Sequence, residues 1–541
     1  MTRIPGKEHA AVRIGIDVGG THTDAVLLDQ DMNVVAGIKT ATTADVTGGV
    51  VTALSTLLEG SRLDRGRISA VMIGTTHFTN ALVTRRRLAR TGVVRLALPA
   101  TAALPPTSAW PAELVDAVRP VVRLCHGGHE FDGRPISPLD PDELKRVAAD
   151  LAAHDITTVA ISSVFSPVTA EAELAAAGIL RAELPHLRVS LSHQIGRIRM
   201  LERENATVVN ACLLDLADEI VDAFAAALAA VGVRAPLFLS QNDGTLMDAE
   251  YTRSYPVRTF ASGPTNSMRG AAFLAGLADA AVVDIGGTTT DVGVLTGGYP
   301  RQAGTDVDIA GVRTNFRMPD VVSVGLGGGS RVTRRPELRI GPDSVGYQLT
   351  EQALVFGGRT LTATDLAVAA GLAEVGDRSL VRGLDRDLVR RGAAWMADRV
   401  AGLVDQMRLS AEPLPVVIVG GGAILMPAEL PGVPEVRIPG HHGVANAIGA
   451  AIGQIGGEVD RLFLIGSQLT RDDVLDQARA EATDLAVSAG AVPSSVEIVH
   501  VDEIHVNYLP GNAVRVIVRA VGDLDLGRAR TPEEDPQWAT T

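Results

Sequence analysis

Two stretches of this chain write the same pattern, with their first aspartates, Asp17 and Asp284, 267 residues apart. Residues 14–24 read IGIDVGGTHTD and residues 282–291 read VVDIGGTTTD. Each is an apolar run, Asp, an apolar residue, Gly-Gly-Thr, two further residues and a second Asp. The apolar segments on both sides of each turn read as strands, so each device is a strand–turn–strand hairpin. A dinucleotide-binding glycine loop would instead run directly into a helix.

A Gly-Gly-Thr turn between antiparallel strands offers bare backbone N–H groups and small hydroxyls to one point. Such a nest suits phosphate oxygens, and glycine supplies both the torsions and the close approach. The Asp before the turn cannot grip phosphate directly, because like charges repel. It fits a holder of Mg²⁺ or its waters, since Mg²⁺ takes one or two carboxylates together with substrate phosphates. Asp17 and Asp284 are therefore the candidate metal residues. Two such hairpins face to face would clamp the β- and γ-phosphates of a nucleotide. A third element, residues 416–423 (VVIVGGGA), is a buried strand running into a glycine turn suited to back onto a nucleobase and ribose.

Composition narrows the setting. A chain of 541 residues exceeds what one core holds, so two or three domains are expected. A net charge of −14 argues against a nucleic-acid surface. The tight basic cluster Arg85-Arg86-Arg87 reads as a solvated helix end or loop. Cys125 and Cys212 are the two cysteines, too few for a disulfide framework or an all-cysteine zinc or iron–sulfur centre, which suits a reducing cytosol. The polar N-terminus is too short for a signal peptide, and no apolar run is long enough to span a membrane. A cytoplasmic protein is the expectation.

Strand and helix patterns alternate along the chain, predicting α/β layers. The first hairpin is followed by a strand at 34–40, a helix at 46–58 and a strand at 70–73. Residues 99–120 read as a Pro- and Ala-rich loop, 203–231 as one long helix, and 324–330 (VGLGGGS) as a flexible loop. Helix 444–455 carries small residues that permit close backbone packing. From 458 a small α/β region follows, and 531–541 reads as a disordered tail. The expected divisions are 12–200, 201–457, 458–530 and 531–541.

The order GGT, GGT, GGG resembles the actin-like ATPase superfamily, two RNase H-like domains around a nucleotide cleft. The segments 15–29 (GIDVGGTHTDAVLLD), 74–85 (GTTHFTNALVTR), 202–213 (ERENATVVNACL), 240–247 (SQNDGTLM), 260–274 (FASGPTNSMRGAAFL), 284–295 (DIGGTTTDVGVL) and 324–332 (VGLGGGSRV) together resemble the hydantoinase/oxoprolinase family over residues 12–455. That resemblance implies ATP-dependent opening of a lactam or cyclic imide, or carboxylation of a ketone, with ATP phosphorylating a carbonyl-derived oxygen. It implies ATP and Mg²⁺ as cofactors, a hydantoin-, lactam- or oxoproline-like substrate, and a second, unlike subunit in an oligomer. Carried onto this chain, the phosphate cradle is Gly19, Gly20, Thr21, Gly286, Gly287, Thr288 and Thr289. Asp17 and Asp284 hold magnesium, and Asp24 or Asp291 positions a metal water or acts as base. Thr75, Thr76 and Asn80 lie near the γ-phosphate or substrate. Gly327, Gly328, Gly420, Gly421 and Gly422 border the nucleoside.

The chain departs from the family pattern at His22, where an aromatic residue is usual, at His77-Phe78, and beyond Arg87. His22 either contacts phosphate or substrate or packs beside the turn. The Cys125–Glu130 stretch CHGGHE and the 500–505 stretch HVDEIH contain metal-ligand residue types, but read better as a loop and an exposed strand edge. Three functions compete: a cyclic amide hydrolase subunit, a small-molecule kinase or ketone carboxylase subunit with the same cleft, and an ATP-binding regulatory subunit without turnover.

Overall fold

The run VRIGIDV forms strand β1, Val12–Val18, in the computed structural model of the chain, and all but one of its residues are buried. The structure describes residues 11–20, 22–41, 46–61, 63–304, 307–334, 337–466, 470–507, 509 and 512–526. Thr21 and the expected tail at 531–541 lie outside them. After β1 come β2 (His22–Leu28), β3 (Val34–Ala41), helix α1 (Val46–Ser61), β4 (Ile68–Thr75) and α2 (His77–Thr84). A four-stranded parallel layer follows from β5 (Thr91–Leu98), β6 (Val121–His126), β7 (Thr158–Ser163) and β8 (Arg188–Leu191), with α3 (Pro141–Ala153) and α4 (Glu171–Glu183) packed on it. Next are α5 (Met200–Cys212), α6 (Leu214–Ala230), β9 (Leu237–Ser240), β10 (Thr245–Asp248) and α7 (Ser262–Ala275). The second hairpin is β11 (Ala280–Ile285) and β12 (Thr290–Thr296), followed by β13 (Val321–Val324), α8 (Arg386–Met407), β14 (Val416–Val419) and α9 (Ala445–Ala451). The chain closes with β15 (Gln454–Leu464), α10 (Arg471–Ser488), β16 (Glu497–His505) and β17 (Ala513–Gly522).

The expected α/β fold, with two hairpin-led halves, is what these elements build. In the first half β1 pairs antiparallel with β2 and parallel with β4. In the second, β11 pairs antiparallel with β12 and parallel with β14. The first sheet has nine strands in the order β16-β17-β15-β10-β9-β4-β1-β2-β3, the second six. The α/β region expected from 458 thus extends the first sheet, because β15 pairs in parallel with β10 through Thr245↔Gln454 and Leu246↔Ile455. β9, β10 and β15 bring residues from beyond position 200 into the sheet that begins at Val12.

Helices α7 and α9 cross between the halves at backbone contact. A Cβ on Gly270 would stand 1.9 Å from the Ala445 carbonyl, and one on Gly449 1.9 Å from that of Asn266. The small residues of α9 therefore do pack backbone to backbone, and α9 lies as closely on β1, where a Cβ on Gly15 would meet the Ala447 carbonyl at 2.0 Å. The single long helix expected at 203–231 is two helices meeting at Leu213. There the Cys212 carbonyl accepts from the Ala89 N–H at 2.8 Å, drawing that acceptor toward a neighbouring loop. The loop expected at 99–120 holds a short helix, Ala112–Val118, pinned by buried Leu114 and Val118.

Candidate active site

The two hairpins are closed by the same bond. The Gly19 N–H donates to the His22 carbonyl at 3.0 Å, and the Gly286 N–H to the Thr289 carbonyl at 2.8 Å. Register repeats too: Asp17 stands opposite Asp24, and Asp284 opposite Asp291. His22 and Thr289 are therefore equivalent positions, both exposed at the end of the turn. The turn glycines avoid the left-handed region, so torsional freedom is not why they are glycine. Gly20 and Gly287 have nothing within 4 Å of a would-be Cβ, so the outer side of each turn has room for an incoming ligand.

Each first aspartate is held by a crossing helix. Asn446 of α9 donates its amide to Asp17 Oδ2 at 2.9 Å, and Ser267 of α7 donates its hydroxyl to Asp284 Oδ2 at 2.5 Å. Asp17 Oδ1 is buried without a hydrogen-bond partner. Burial pushes the Asp17 carboxyl up to about 7, with the charges of Asp24 and Asp284 adding to it. Burial likewise raises Asp284 to about 6, opposed by its bond from Ser267 and assisted by Asp291. Asp291 is raised by burial and accepts from Ser323 of β13. The unsatisfied, buried Asp17 Oδ1, with the charges of Asp24 and Asp284 close by, fits a holder of Mg²⁺ or of its waters. Among the described residues no group of three or more His, Cys, Asp or Glu side chains is arranged to hold a metal by itself. A carboxylate pair completed by phosphate oxygens and waters is the arrangement Mg²⁺ favours.

The remaining expected residues fall in different places. Asp24 is paired by both oxygens to Lys39 Nζ, at 2.5 and 2.6 Å, so both oxygens are engaged in holding the ammonium. Thr75 and Thr76 close β4 beside the first hairpin: Thr76 Oγ1 donates to the Val18 carbonyl, Asn80 Nδ2 donates to Thr76 Oγ1 at 3.2 Å, and Thr75 Oγ1 meets His77 Nδ1 at 2.6 Å. Ser262, opening α7, donates to the Thr75 carbonyl at 3.3 Å, which brings the second half's helix to this segment. Gly420 and Gly422 are pressed against the second hairpin, where Cβ atoms would meet Asp284 Oδ1 at 2.3 Å and Ile285 Cγ2 at 2.6 Å. Gly421 alone of the three is exposed, with a would-be Cβ 4.0 Å from Lys39 Cε. Gly327 and Gly328 are buried behind the second hairpin. The Gly328 and Gly329 N–H groups donate to the Gly286 and Gly287 carbonyls at 3.1 and 2.7 Å, and Thr288 N would meet a Cβ on Gly327 at 2.5 Å. The segment read as a flexible loop is thus a buried brace for the turn. Lys39, Ser267, Asn446 and Ser323 escaped sequence reasoning, since no local pattern ties them to the hairpins. The Cys125–Glu130 stretch is the end of β6 and the loop after it, with His126 paired to Glu143, and the 500–505 stretch lies on β16 at the open edge of the first sheet.

Comparison with known proteins adds to this geometry. Residues 13–184 match the hydantoinase/oxoprolinase N-terminal region, and residues 203–407 match the hydantoinase/oxoprolinase family. The chain is 28% identical over 432 residues to the caprolactamase subunit alpha of Pseudomonas jessenii, covering 75% of this chain and 60% of that protein. It is 24% identical over 393 residues to the acetone carboxylase beta subunit of Xanthobacter autotrophicus, covering 66% and 54%. The chain therefore spans somewhat more than half the length of these curated relatives. Its fold is similar to the solved structure of an ATP-dependent caprolactamase from Pseudomonas jessenii, with a TM-score of 0.75, 21% identity, and 97% of this chain and 89% of the other covered.

Proposed function

The chain belongs to the hydantoinase/oxoprolinase family, and on that premise we propose that it spends ATP to activate the carbonyl oxygen of a small cyclic amide for ring opening. The observation that carries the reading is the pair of identically closed hairpins, each holding an aspartate at the same register beside a turn with room on its outer side, Asp17 buried and Asp284 half-buried. Similarity to a caprolactamase subunit and to an ATP-dependent caprolactamase structure supports the substrate class. In this reading the chain is the ATP-using member of a hetero-oligomer in the cytoplasm.

A ring amide resists water because resonance stabilises it. The carbonyl oxygen attacks the γ-phosphorus, the bond from that phosphorus to the β,γ-bridging oxygen breaks, and ADP leaves. Water then adds to the activated carbon, the C–N bond breaks to give an acyl phosphate, and a second water releases phosphate. The N–H groups of Gly20 and Gly287 bind phosphate oxygens and stabilise charge as it transfers. Asp17 and Asp284 would hold Mg²⁺, which neutralises charge on the transferring phosphoryl group. Asn446 and Ser267 keep the two carboxylates oriented, and Gly421 with Lys39 borders the cleft. Asp291, raised by burial, is the better placed of the two second aspartates to take a proton.

A panel of lactams, hydantoins and ketones tests this by phosphate release from ATP, with and without the product of the neighbouring gene. Release stimulated by a lactam and matched by an amino-acid product supports the reading. A stable phosphorylated product would mark a kinase instead. Stimulation by a ketone with bicarbonate would mark a carboxylase, a second reading favoured by the similarity to an acetone carboxylase subunit. ATP binding without turnover under every condition would leave a regulatory subunit.

A further inference from the structure

Away from the hairpins, a second concentration of charge forms where the loop after β8, the short helix Pro256–Thr259 and β15 meet. Its carboxylates are all engaged. Glu458 takes Arg197 at 3.0 Å and Arg317 at 3.1 Å. Asp460 takes two 2.7 Å bonds from Arg515 and a contact from Arg197 at 2.8 Å. Asp243 takes Arg519 at 3.2 Å. Four guanidiniums thus use up three carboxylates, with Asp502 adding its charge beside Arg515.

Arg258 stands in the same field with no carboxylate of its own within 4 Å among the described residues. Among the described residues its guanidinium makes a single hydrogen bond, to the Gln194 carbonyl at 3.2 Å, and its Nε is buried with no partner. The guanidinium carbon lies 5.6 and 5.7 Å from the ring centroids of Tyr251 and Tyr255, which are themselves 4.5 Å apart. Ring faces attract the cation but accept little of its hydrogen-bonding capacity. Arg269, buried on the Gly244 carbonyl and the Tyr299 ring, adds another positive charge. Six guanidiniums therefore face four carboxylates in a chain whose net charge is −14.

We propose that Arg258 anchors an anion subsite that takes the carboxylate of a small molecule. The half-buried guanidinium presents unused N–H donors in the planar fork that matches a carboxylate, while Tyr251 and Tyr255 offer apolar faces for the stem behind it. Glu458 and Asp243 lie near enough to act on Arg258 electrostatically. Their charges would repel a second negative charge on the ligand, which favours a monoanion over a phosphate dianion. The subsite rests on none of the metal or phosphate residues and stands independently of the proposed function.

Thermal melts of the full chain in sodium acetate, against sodium chloride at equal ionic strength, test the subsite directly. Acetate is expected to raise Tm saturably over chloride. Arg258→Gln should need at least about tenfold more acetate for the same rise, and Arg258→Lys, which keeps the charge without the fork, should also be weakened. Arg437→Gln, at a half-exposed arginine elsewhere that is paired with Glu435 and bonded to the Ala275 carbonyl, should respond as the parent chain does. Asp17→Asn should keep the acetate response even where it abolishes ATP turnover, so failure of one reading is visible apart from the other. No acetate-specific rise in the parent chain overturns the proposal, as does an undiminished rise in both Arg258 variants. Inorganic phosphate acting at lower concentration than acetate overturns the monoanion assignment. Should Arg258→Gln fail to fold, the parent titration and Arg258→Lys still decide the outcome.

Discussion

A Cβ on Gly74 would stand 2.6 Å from Asp17 Oδ1. The second half repeats the relationship, with a Cβ on Gly420 at 2.3 Å from Asp284 Oδ1. In each half the strand parallel to the aspartate's own strand, β4 or β14, carries a glycine at its end or just beyond it that leaves room for one carboxylate oxygen. A methyl group in either place must push the carboxylate away or shift the backbone. Gly74→Ala and Gly420→Ala should each lose stability by about 1–3 kcal/mol, as overpacked positions do. They should lose Mg²⁺-dependent ATP turnover more severely than that loss of stability explains. Gly420→Ala carries an added penalty, since Gly420 sits at φ +85°. Urea unfolding beside an ATPase assay checks both, and full turnover in either variant would show that the carboxylate need not sit where the glycine admits it.

Asp17 opposes folding when it is charged. Its carboxyl rises from 3.8 to about 7, roughly three pH units, which at 1.36 kcal/mol per unit is on the order of 4 kcal/mol. Asp17→Asn keeps an acceptor for Asn446 and removes the buried charge. The variant should melt above the parent chain in EDTA at pH about 8, yet lose Mg²⁺-dependent turnover by at least about 100-fold, the scale of removing a transition-state charge partner. A variant less stable than the parent in EDTA would contradict the strain assigned to this carboxylate.

The same shifts fix a pH dependence. Where the folded pKa of an acid lies above its unfolded value, the folded state holds the proton more tightly. Stability is then fully present below the unfolded pKa and is lost as pH rises toward the folded one. For Asp17 that window runs from 3.8 to about 7, and for Asp284 from 3.8 to about 6. These two groups should make the metal-free chain less stable at pH about 8 than at pH about 5. Added Mg²⁺ with a nucleotide should reverse the trend by binding the charged forms. Differential scanning calorimetry across pH, with and without MgADP, reads both effects, and Asp17→Asn should flatten the metal-free slope.

The hairpins were legible because they are local: turn, strands and facing aspartates sit within about a dozen residues, so one pattern specifies the register Asp17↔Asp24. What holds those aspartates was not legible. Asn446 reaches Asp17 across 429 positions, and nothing near Asn446 distinguishes it from any polar residue opening a small-residue helix. Residues 324–330 misled for a related reason. Glycine-rich sequence predicts freedom when read alone, but here the glycines let a backbone lie against another backbone, with Gly328 and Gly329 bonded to the turn they support. The continuation of the first sheet through β15 was hidden likewise, because β10–β15 pairing joins segments some 200 residues apart.

Lys39 acts on both halves of the site: it pairs with Asp24, and its charge holds down the carboxyls of both Asp17 and Asp284. Its ammonium neutralises Asp24, which is 2% exposed, while its own side chain is 35% exposed. Lys39→Met removes the pair's open member and leaves a buried carboxylate unpaired beside Asp17. Breaking a buried pair this way costs about 3–5 kcal/mol, less where one member reaches solvent. The effect should shrink on adding Asp24→Asn, so a double-mutant cycle should show coupling of about 1–3 kcal/mol. Asp24→Asn alone should retain ATP turnover better than Asp291→Asn if Asp24 serves to hold Lys39 and Asp291 takes the proton. Equal loss in the two aspartate variants, with no coupling in the cycle, would mean that Asp24 acts on the substrate directly and that its bond to Lys39 is incidental.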